Sequence, residues 1–302
     1  MKATACVQRE AGGREVRLED LTSFRTGGRP RHYARPRTCE GLRAALRLCS
    51  KRGLPVHTMG GGTNLLVDDG ELPFAVVHVC APGLCWIRRT GPCSVRVGAG
   101  VRMSRLLSYC ARAGLGGMEF MAGIPGTVGG ALAGNAGAWG GSIGDPLARL
   151  WLVDLRGRLD ERPAEGVRFS YRNCSLGEGI IAEAEFMLQP CAPRQVAERM
   201  KEYATWKARS HPLSRPSAGC IFKNPPGSEP AGRLLDLCGL KGTRVGGAQV
   251  SALHANFICN MAQASSVDVM SLIQVMQSAV RTRFGVELEM EIKHWPSQPV
   301  AA

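Results

Sequence analysis

The chain has 302 residues, 44% hydrophobic and 21% charged, enough to bury a sizeable core and near the length at which one core divides into two. Its longest apolar runs, such as residues 74–79 and 150–153, fall far short of the roughly 20 needed to cross a bilayer. Residues 1–19 carry Lys2, Arg9, Arg14 and Arg17 where a secretory signal needs an apolar centre, so a cytoplasmic protein with no membrane partner is expected.

In chain order, arginine is densest at Arg25, Arg29, Arg31, Arg35 and Arg37. Residues 38–52 place Leu42, Ala45, Leu46 and Cys49 at helical spacing, Gly53 ends that helix, and a short strand follows over 55–59. A glycine loop, Gly60-Gly61-Gly62-Thr63-Asn64, leads into Leu65. Strands are expected over 74–79 and 94–97, then a helix carrying Met103, Leu106, Leu107 and Cys110 that closes at Gly114. Residues 122–141 hold eight glycines in twenty positions, too many for regular structure and too mixed with small residues for a loose linker, so a binding loop is expected. Strands follow over 150–154 and 180–188, and the Gln189-Pro190-Cys191-Ala192-Pro193 stretch reads as a domain boundary before a helix through Val196, Met200 and Tyr203. Near the end Ser265 caps a helix with Asp268 three positions on, and Gly285 stops it. The closing strand alternates Val286, Leu288, Met290 and Ile292 on the core side with Glu287, Glu289, Glu291 and Lys293 on the other.

Twelve cysteines are scattered without a C-x-x-C pair, so neither a disulfide framework nor a metal site is expected, and Cys49 and Cys110 fall at buried helical positions. The net charge of +13 raises a basic nucleic-acid-binding protein as a rival reading. Its charge is dense only over residues 25–37, and no aromatic-rich RNA-binding motif or zinc-finger spacing accompanies it. The 31 arginines to 7 lysines fit phosphate-bearing small molecules and fit a compositional bias, and the bias is preferred.

Two glycine-rich loops in one domain point to a pyrophosphate cradle, because residues without a Cβ let successive backbone N–H groups converge on phosphate oxygens. Neither loop is the Rossmann G-x-G-x-x-G or the Walker G-x-x-x-x-G-K-[ST], which disfavours Rossmann-type nicotinamide binding and nucleotide hydrolysis. Either loop alone could be a tight turn; the pair favours binding.

Thr22-Ser23-Phe24-Arg25-Thr26-Gly27-Gly28, the Gly60 loop, Ala122-Gly123-Ile124-Pro125-Gly126-Thr127-Val128-Gly129-Gly130 and Asn135-Ala136-Gly137-Ala138 resemble, in order, the UDP-N-acetylenolpyruvoylglucosamine reductase (MurB) family. Ser170-Tyr171-Arg172, Ser217-Ala218-Gly219-Cys220-Ile221-Phe222-Lys223-Asn224-Pro225, Gly239-Leu240-Lys241-Gly242, His254-Ala255-Asn256-Phe257-Ile258 and Leu288-Glu289-Met290-Glu291-Ile292 continue the match across residues 21–293. Near residues 171–181 the chain lacks a tyrosine-bearing insertion of longer members and so resembles the shorter subtype.

The resemblance implies an α+β architecture: a vanillyl-alcohol-oxidase/PCMH-type FAD-binding domain of two lobes over residues 1–190, then a smaller α+β substrate-binding domain over 191–302. It implies bound FAD, NADPH as reductant, and NADPH-dependent reduction of UDP-N-acetylglucosamine enolpyruvate to UDP-N-acetylmuramate, a cytoplasmic step of peptidoglycan synthesis. A monomer without nucleic acid, membrane or metal is expected; the alternative enzyme is another FAD oxidoreductase of this fold with a different small substrate. Hydride passes from NADPH to flavin and then to C3 of the enolpyruvyl group, and a proton must reach C2. FAD contacts are expected from Gly60, Gly61, Gly62, Thr63, Asn64 and Leu65, from Ala122, Gly123, Ile124, Pro125, Gly126, Thr127, Gly129 and Gly130, and from Ile180.

Arg172 matches the family's catalytic arginine, and a guanidinium fork suits a carboxylate whose charge grows in an enolate-like intermediate. Glu291 matches the glutamate of the closing strand, although alternation alone does not separate it from Glu287 or Glu289. Cys220 stands where many relatives carry serine as proton donor to C2; a thiol of ordinary pKa near ~8.5 is mostly protonated at neutral pH and can deliver that proton. Asn224, Lys241, His254, Asn256 and Lys293 are candidate substrate contacts, although a lone histidine is more often structural.

Overall fold

A computed structural model describes residues 15–177 and 179–298; Lys2, Cys6, Arg9 and Arg14 lie outside the described residues. The chain divides into two compact units. The first comprises, within the described residues, 32–61 and 74–207, and the second 15–31, 62–73 and 208–298. This differs from a cut at 190/191. Met200, Tyr203 and Ala204 of the helix that follows Pro193 pack on the core of the first unit, and this apolar face keeps the helix there.

In the first unit a five-stranded antiparallel sheet runs in the order Leu159–Pro163, Leu147–Val153, Ile180–Met187, Ser94–Gly98, Ile87–Arg89. A second sheet pairs Val56–Met59 in parallel with the Ala75 to His78 part of Glu71–His78. Helix α1, Cys39–Lys51, begins where the Thr38 side chain accepts from Gly41 N, and it buries Leu42, Ala45, Leu46 and Cys49. Helix α2, Met103–Ala113, buries Met103, Leu106, Leu107 and Cys110 and ends at Gly114, whose φ of 66° suits glycine. Both apolar stripes join the sheet residues Val95, Val97, Leu150, Leu152, Ala184 and Phe186 in one core. Cys110 sits in this core as a small packed hydrophobe, and its burial pushes the thiol up to about 12.

The glycine-rich stretch is more regular than expected. Helix α3, Val128–Ala133, occupies its middle, and Gly137–Ala138 pairs with Gly141–Ser142 as a hairpin. Val128, Ala131 and Leu132 are buried, so hydrophobic anchoring outweighs glycine's backbone entropy cost over one short turn. Helix α4, Pro193–Ser210, closes this unit.

In the second unit helix α6, Ser266–Phe284, packs on a three-stranded sheet in the order Arg244–Val245, Ala248–Val250, Ile258–Asn260, and helix α5, Ala231–Leu237, packs on α6. Ser265 and Asp268 form the expected capping box, and Gly285 ends α6 at φ 68°. The closing strand is shorter than alternation predicted: Met290 makes an isolated bridge to Phe222, and continuous pairing begins only at Lys293–Trp295, parallel to Leu65–Val67. Leu288 and Ile292 are buried as expected, but the partner segment 220–223 is irregular and cannot sustain a ladder. No helix among the described residues is long and apolar enough to cross a membrane.

Candidate functional site

The two glycine loops meet in the first unit. A Cβ at Gly60 would stand 2.3 Å from Thr127 Oγ1, so only glycine permits the approach. The second loop is strapped to the segment before α2: Met103 N donates to Gly126 O at 3.0 Å, Val128 N to Val101 O at 2.9 Å and Gly129 N to Ala99 O at 2.9 Å. The Gly129 amide is therefore spent on backbone, and the residue is glycine because a Cβ would lie 2.8 Å from that of Ala99. Thr127 caps α3 by accepting from Gly130 N. Gly123 and Gly126 sit at φ 79° and 119°, conformations that L side chains rarely adopt. Ala122 and Thr127 are buried, Ile124 is half-buried and Pro125 is exposed. Ile180 is buried beside Val153 in the sheet. A cradle that a Cβ would fill, and loops held from behind by backbone bonds, fit a diphosphate, which Gly60, Gly61, Gly123 and Gly126 of the first unit would line.

A buried pair braces Gly60. Tyr33 OH lies 2.6 Å from His78 Nδ1, and the imidazole also bonds the Gly60 backbone. Burial, then the nearby Arg35 charge, lowers the His78 pKa to about 4. The unfolded chain takes up a proton near pH 6.5 that the folded chain refuses until about 4, so stability present at neutral pH is lost as pH falls through that window. His78 contributes about 3 kcal/mol to this loss. His32 and His57 of the same unit, both lowered by burial, act in the same direction. Thermal midpoints at pH 7 and 5 should drop further for the wild type than for His78→Gln.

Arg172 also belongs to the first unit. Arg168–Ser170 pairs with Asn173–Ser175, so Tyr171 and Arg172 form the turn, and Arg172 takes φ 56°. Its guanidinium carbon lies 5.2 Å from the Tyr171 ring centroid. Asn135 Nδ2 donates to Ser170 O at 3.0 Å, holding the hairpin, while buried Asn135 Oδ1 has no hydrogen-bond partner. Asn135 is thus a positioning residue that motif reading quoted without assigning; its signal was a polar residue inside a glycine-rich run.

The second unit brings Cys220 and Glu291 to neighbouring strand segments. Cys220 bridges Phe257, Ile221 N donates to Asn256 O at 2.9 Å, and Glu291 N donates to Ile221 O at 2.7 Å. Asn256 is 2% exposed and its amide is spent on both sides of Phe222, accepting from its N at 2.9 Å and donating to its O at 2.8 Å. It clamps the Cys220 segment, in place of the expected substrate contact. Asn256→Leu should cost about 1–3 kcal/mol for each backbone group left bare, read as a lower denaturation midpoint.

Structure separates the three glutamates that alternation left equal. Glu287 is paired with Arg281 at 3.6 Å and Glu289 with Lys223, and both are about three-quarters exposed, whereas Glu291 is half-buried. Asn64 Nδ2 donates to Glu291 O at 3.2 Å and Asn64 O accepts from Lys293 N at 2.9 Å. Asn64 and buried Leu65, expected at the cofactor, also anchor the Glu291 strand. Gly62 is glycine because a Cβ would meet Leu21 O at 2.4 Å, and Thr63 is half-buried beside it. Among the other candidates, Asn224 Oδ1 accepts from Ala231 N at the start of α5, Lys241 pairs with Asp236 at 3.0 Å, and Lys293 is exposed. His254 Nδ1 accepts from Asn256 N at 3.2 Å, its ring packs against His211 and Phe257, and burial, then Lys241, lowers its pKa. Among the described residues no cluster of metal ligands occurs.

The FAD binding domain family matches residues 30–160, and the UDP-N-acetylenolpyruvoylglucosamine reductase C-terminal domain family matches residues 211–295. The UDP-N-acetylenolpyruvoylglucosamine reductase 2 of Symbiobacterium thermophilum is 39% identical over 95% of this chain and 94% of its own length. The Syntrophobacter fumaroxidans reductase is 41% identical over 90% and 80%. The crystal structure of the reductase (MurB) from Thermus caldophilus superposes with a TM-score of 0.81 at 35% identity, covering 93% of this chain and 98% of that one. The chain belongs to the UDP-N-acetylenolpyruvoylglucosamine reductase family.

Proposed function

We propose that this protein reduces UDP-N-acetylglucosamine enolpyruvate to UDP-N-acetylmuramate with NADPH through bound FAD. The observation that carries the reading is the pair of strapped glycine loops in one unit together with Cys220 and Glu291 on adjoining segments of the other, in a chain of this family. FAD, when bound, supplies hydride transfer from NADPH to C3 of the enolpyruvyl group. Cys220 gives the proton that C2 requires, from a thiol on a segment that Asn256 holds in place. Arg172 binds the substrate carboxylate as negative charge moves onto it, and Glu291 orients the reacting end and the donor. Lys241, His254 and Lys293 contact the UDP-sugar in this reading, and Asn224 does so while holding the start of α5. With NADPH and a nucleotide sugar as substrates, the reaction is placed in the cytoplasm, and the protein acts as a monomer without nucleic acid.

An anaerobic absorbance titration tests cofactor, reductant and acceptor together: NADPH should bleach the yellow protein, and one equivalent of the enolpyruvyl UDP-sugar should restore the colour. Bleached protein that this substrate leaves colourless would point to another flavin oxidoreductase of the fold. Protein purified gently yet colourless, with salt-sensitive affinity for RNA or DNA, would overturn the flavoenzyme reading.

A further inference from the structure

We propose that Arg43, Arg47, Arg156 and Arg158 of the first unit form a site for a phosphate group, built from none of the residues assigned above to cofactor or substrate. The site goes beyond the flavoenzyme reading and does not depend on it.

The four side chains meet around Gly157. Helix α1 supplies Arg43 and Arg47, four positions apart and so neighbours on one face. Arg43 Nε donates to Gly157 O at 2.7 Å, which fixes that guanidinium against the turn between the strands Leu147–Val153 and Leu159–Pro163. A Cβ at Gly157 would lie 2.8 Å from Arg47 Nη1 and 2.8 Å from Arg43 O, so glycine, at φ 72°, lets the helix come this close. Arg156 and Arg158 flank Gly157; both are exposed, as is Arg47, and Arg43 is half-buried. The turn that carries them is closed by its own bonds: Gly157 N donates to Asp154 O at 2.8 Å, Asp154 N to Arg158 O at 3.0 Å, and Arg158 N to Asp154 Oδ1 at 2.7 Å.

Charge sets this cluster apart from an ordinary solvated face. Like charges four positions apart on a helix repel, and the turn adds two more cations beside them. None of the four forms an ion pair with a carboxylate among the described residues. The acids of the adjoining strand are engaged elsewhere, Asp160 with Arg162 at 2.8 Å and Glu161 with Arg149 at 2.9 Å, and Asp154 holds the Arg158 backbone. Guanidinium forks bind phosphate oxygens through paired N–H···O bonds, and Arg43, already oriented by Gly157 O, gives up little freedom in helping to do so. A phosphate ester is therefore the ligand chemistry. A soluble phosphorylated metabolite and the headgroup of an anionic phospholipid are its two sources.

The test compares holoenzyme of the wild type with the triple variant Arg47→Gln/Arg156→Gln/Arg158→Gln. Arg43 is left in place so that its bond to Gly157 O keeps helix and turn together. Each protein is titrated with inorganic pyrophosphate by calorimetry and, separately, sedimented with vesicles of phosphatidylglycerol or of phosphatidylcholine. Wild type should bind an equivalent of pyrophosphate that the triple variant binds at least roughly tenfold more weakly, the size of one lost charge-assisted hydrogen bond, and Arg156→Gln alone should lose part of that affinity. Flavin content, thermal midpoint and turnover of the enolpyruvyl substrate should match the wild type in both variants. Pyrophosphate binding without vesicle binding assigns the site to a soluble phosphate ester. Sedimentation with phosphatidylglycerol and not phosphatidylcholine, lost in the triple variant, assigns it to a lipid headgroup. Wild type that binds neither probe, or variants that bind both as the wild type does, overturn the site and leave the flavoenzyme reading standing.

Discussion

Cys220→Ala should be bleached by NADPH as fast as the wild type yet be reoxidised by the enolpyruvyl UDP-sugar roughly 10²–10⁴-fold more slowly, the usual worth of a positioned proton donor. The change removes one atom at a half-buried position and leaves intact the backbone bonds of Ile221 and Phe222 to Asn256 and of Ile221 to Glu291, so the segment keeps its place. What is lost is the acidic hydrogen. Cys220→Ser restores a hydroxyl in the same place and should recover much of the second half-reaction, because the backbone bonds of Ile221 and Phe222 hold the segment in either case. Stopped-flow absorbance separates the two steps. If Cys220→Ala slows both half-reactions equally, the residue supports the fold and does not give the proton.

The two helical stripes of the first unit were legible because each buries a repeating face: Leu42 with Leu46 and Leu106 with Cys110 need no partner beyond the sheet above them. The caps at Ser265, Gly114 and Gly285 were legible for the same reason, being local. What sequence could not show depends on distant partners. Gly60 and Gly129 both looked like phosphate-facing glycines, but only coordinates show Gly129 pressed on Ala99 with its amide spent. Asn256 reads as a substrate contact until both backbone groups of Phe222, 34 residues away, are found on its amide. The compact units likewise depend on distant packing: a proline-flanked linker marks where secondary structure breaks, whereas the units are set by which core α4 packs on. Glu291 shows the complementary case, since alternation placed three glutamates on one face and burial singles out one.

Arg172→Gly is expected to separate stability from catalysis in one substitution. Arginine at φ 56° costs roughly 1–2 kcal/mol that glycine does not incur, so the variant should fold at least as stably as the wild type unless the guanidinium's own contacts offset the relief. Hairpin pairing from Arg168 to Ser175 and the Asn135 brace on Ser170 persist without the side chain. A strained conformation kept at an arginine whose Nε is buried is the pattern of a residue retained for what it does. On the proposed role of Arg172 at the substrate carboxylate, losing its guanidinium should slow reoxidation by substrate roughly 10²–10³-fold while flavin content and bleaching by NADPH hold. Arg172→Lys should recover little, because an ammonium keeps the charge but not the two-pronged geometry. A stable Arg172→Gly protein that turns over normally would remove Arg172 from the mechanism, and one that loses flavin would make it a structural residue.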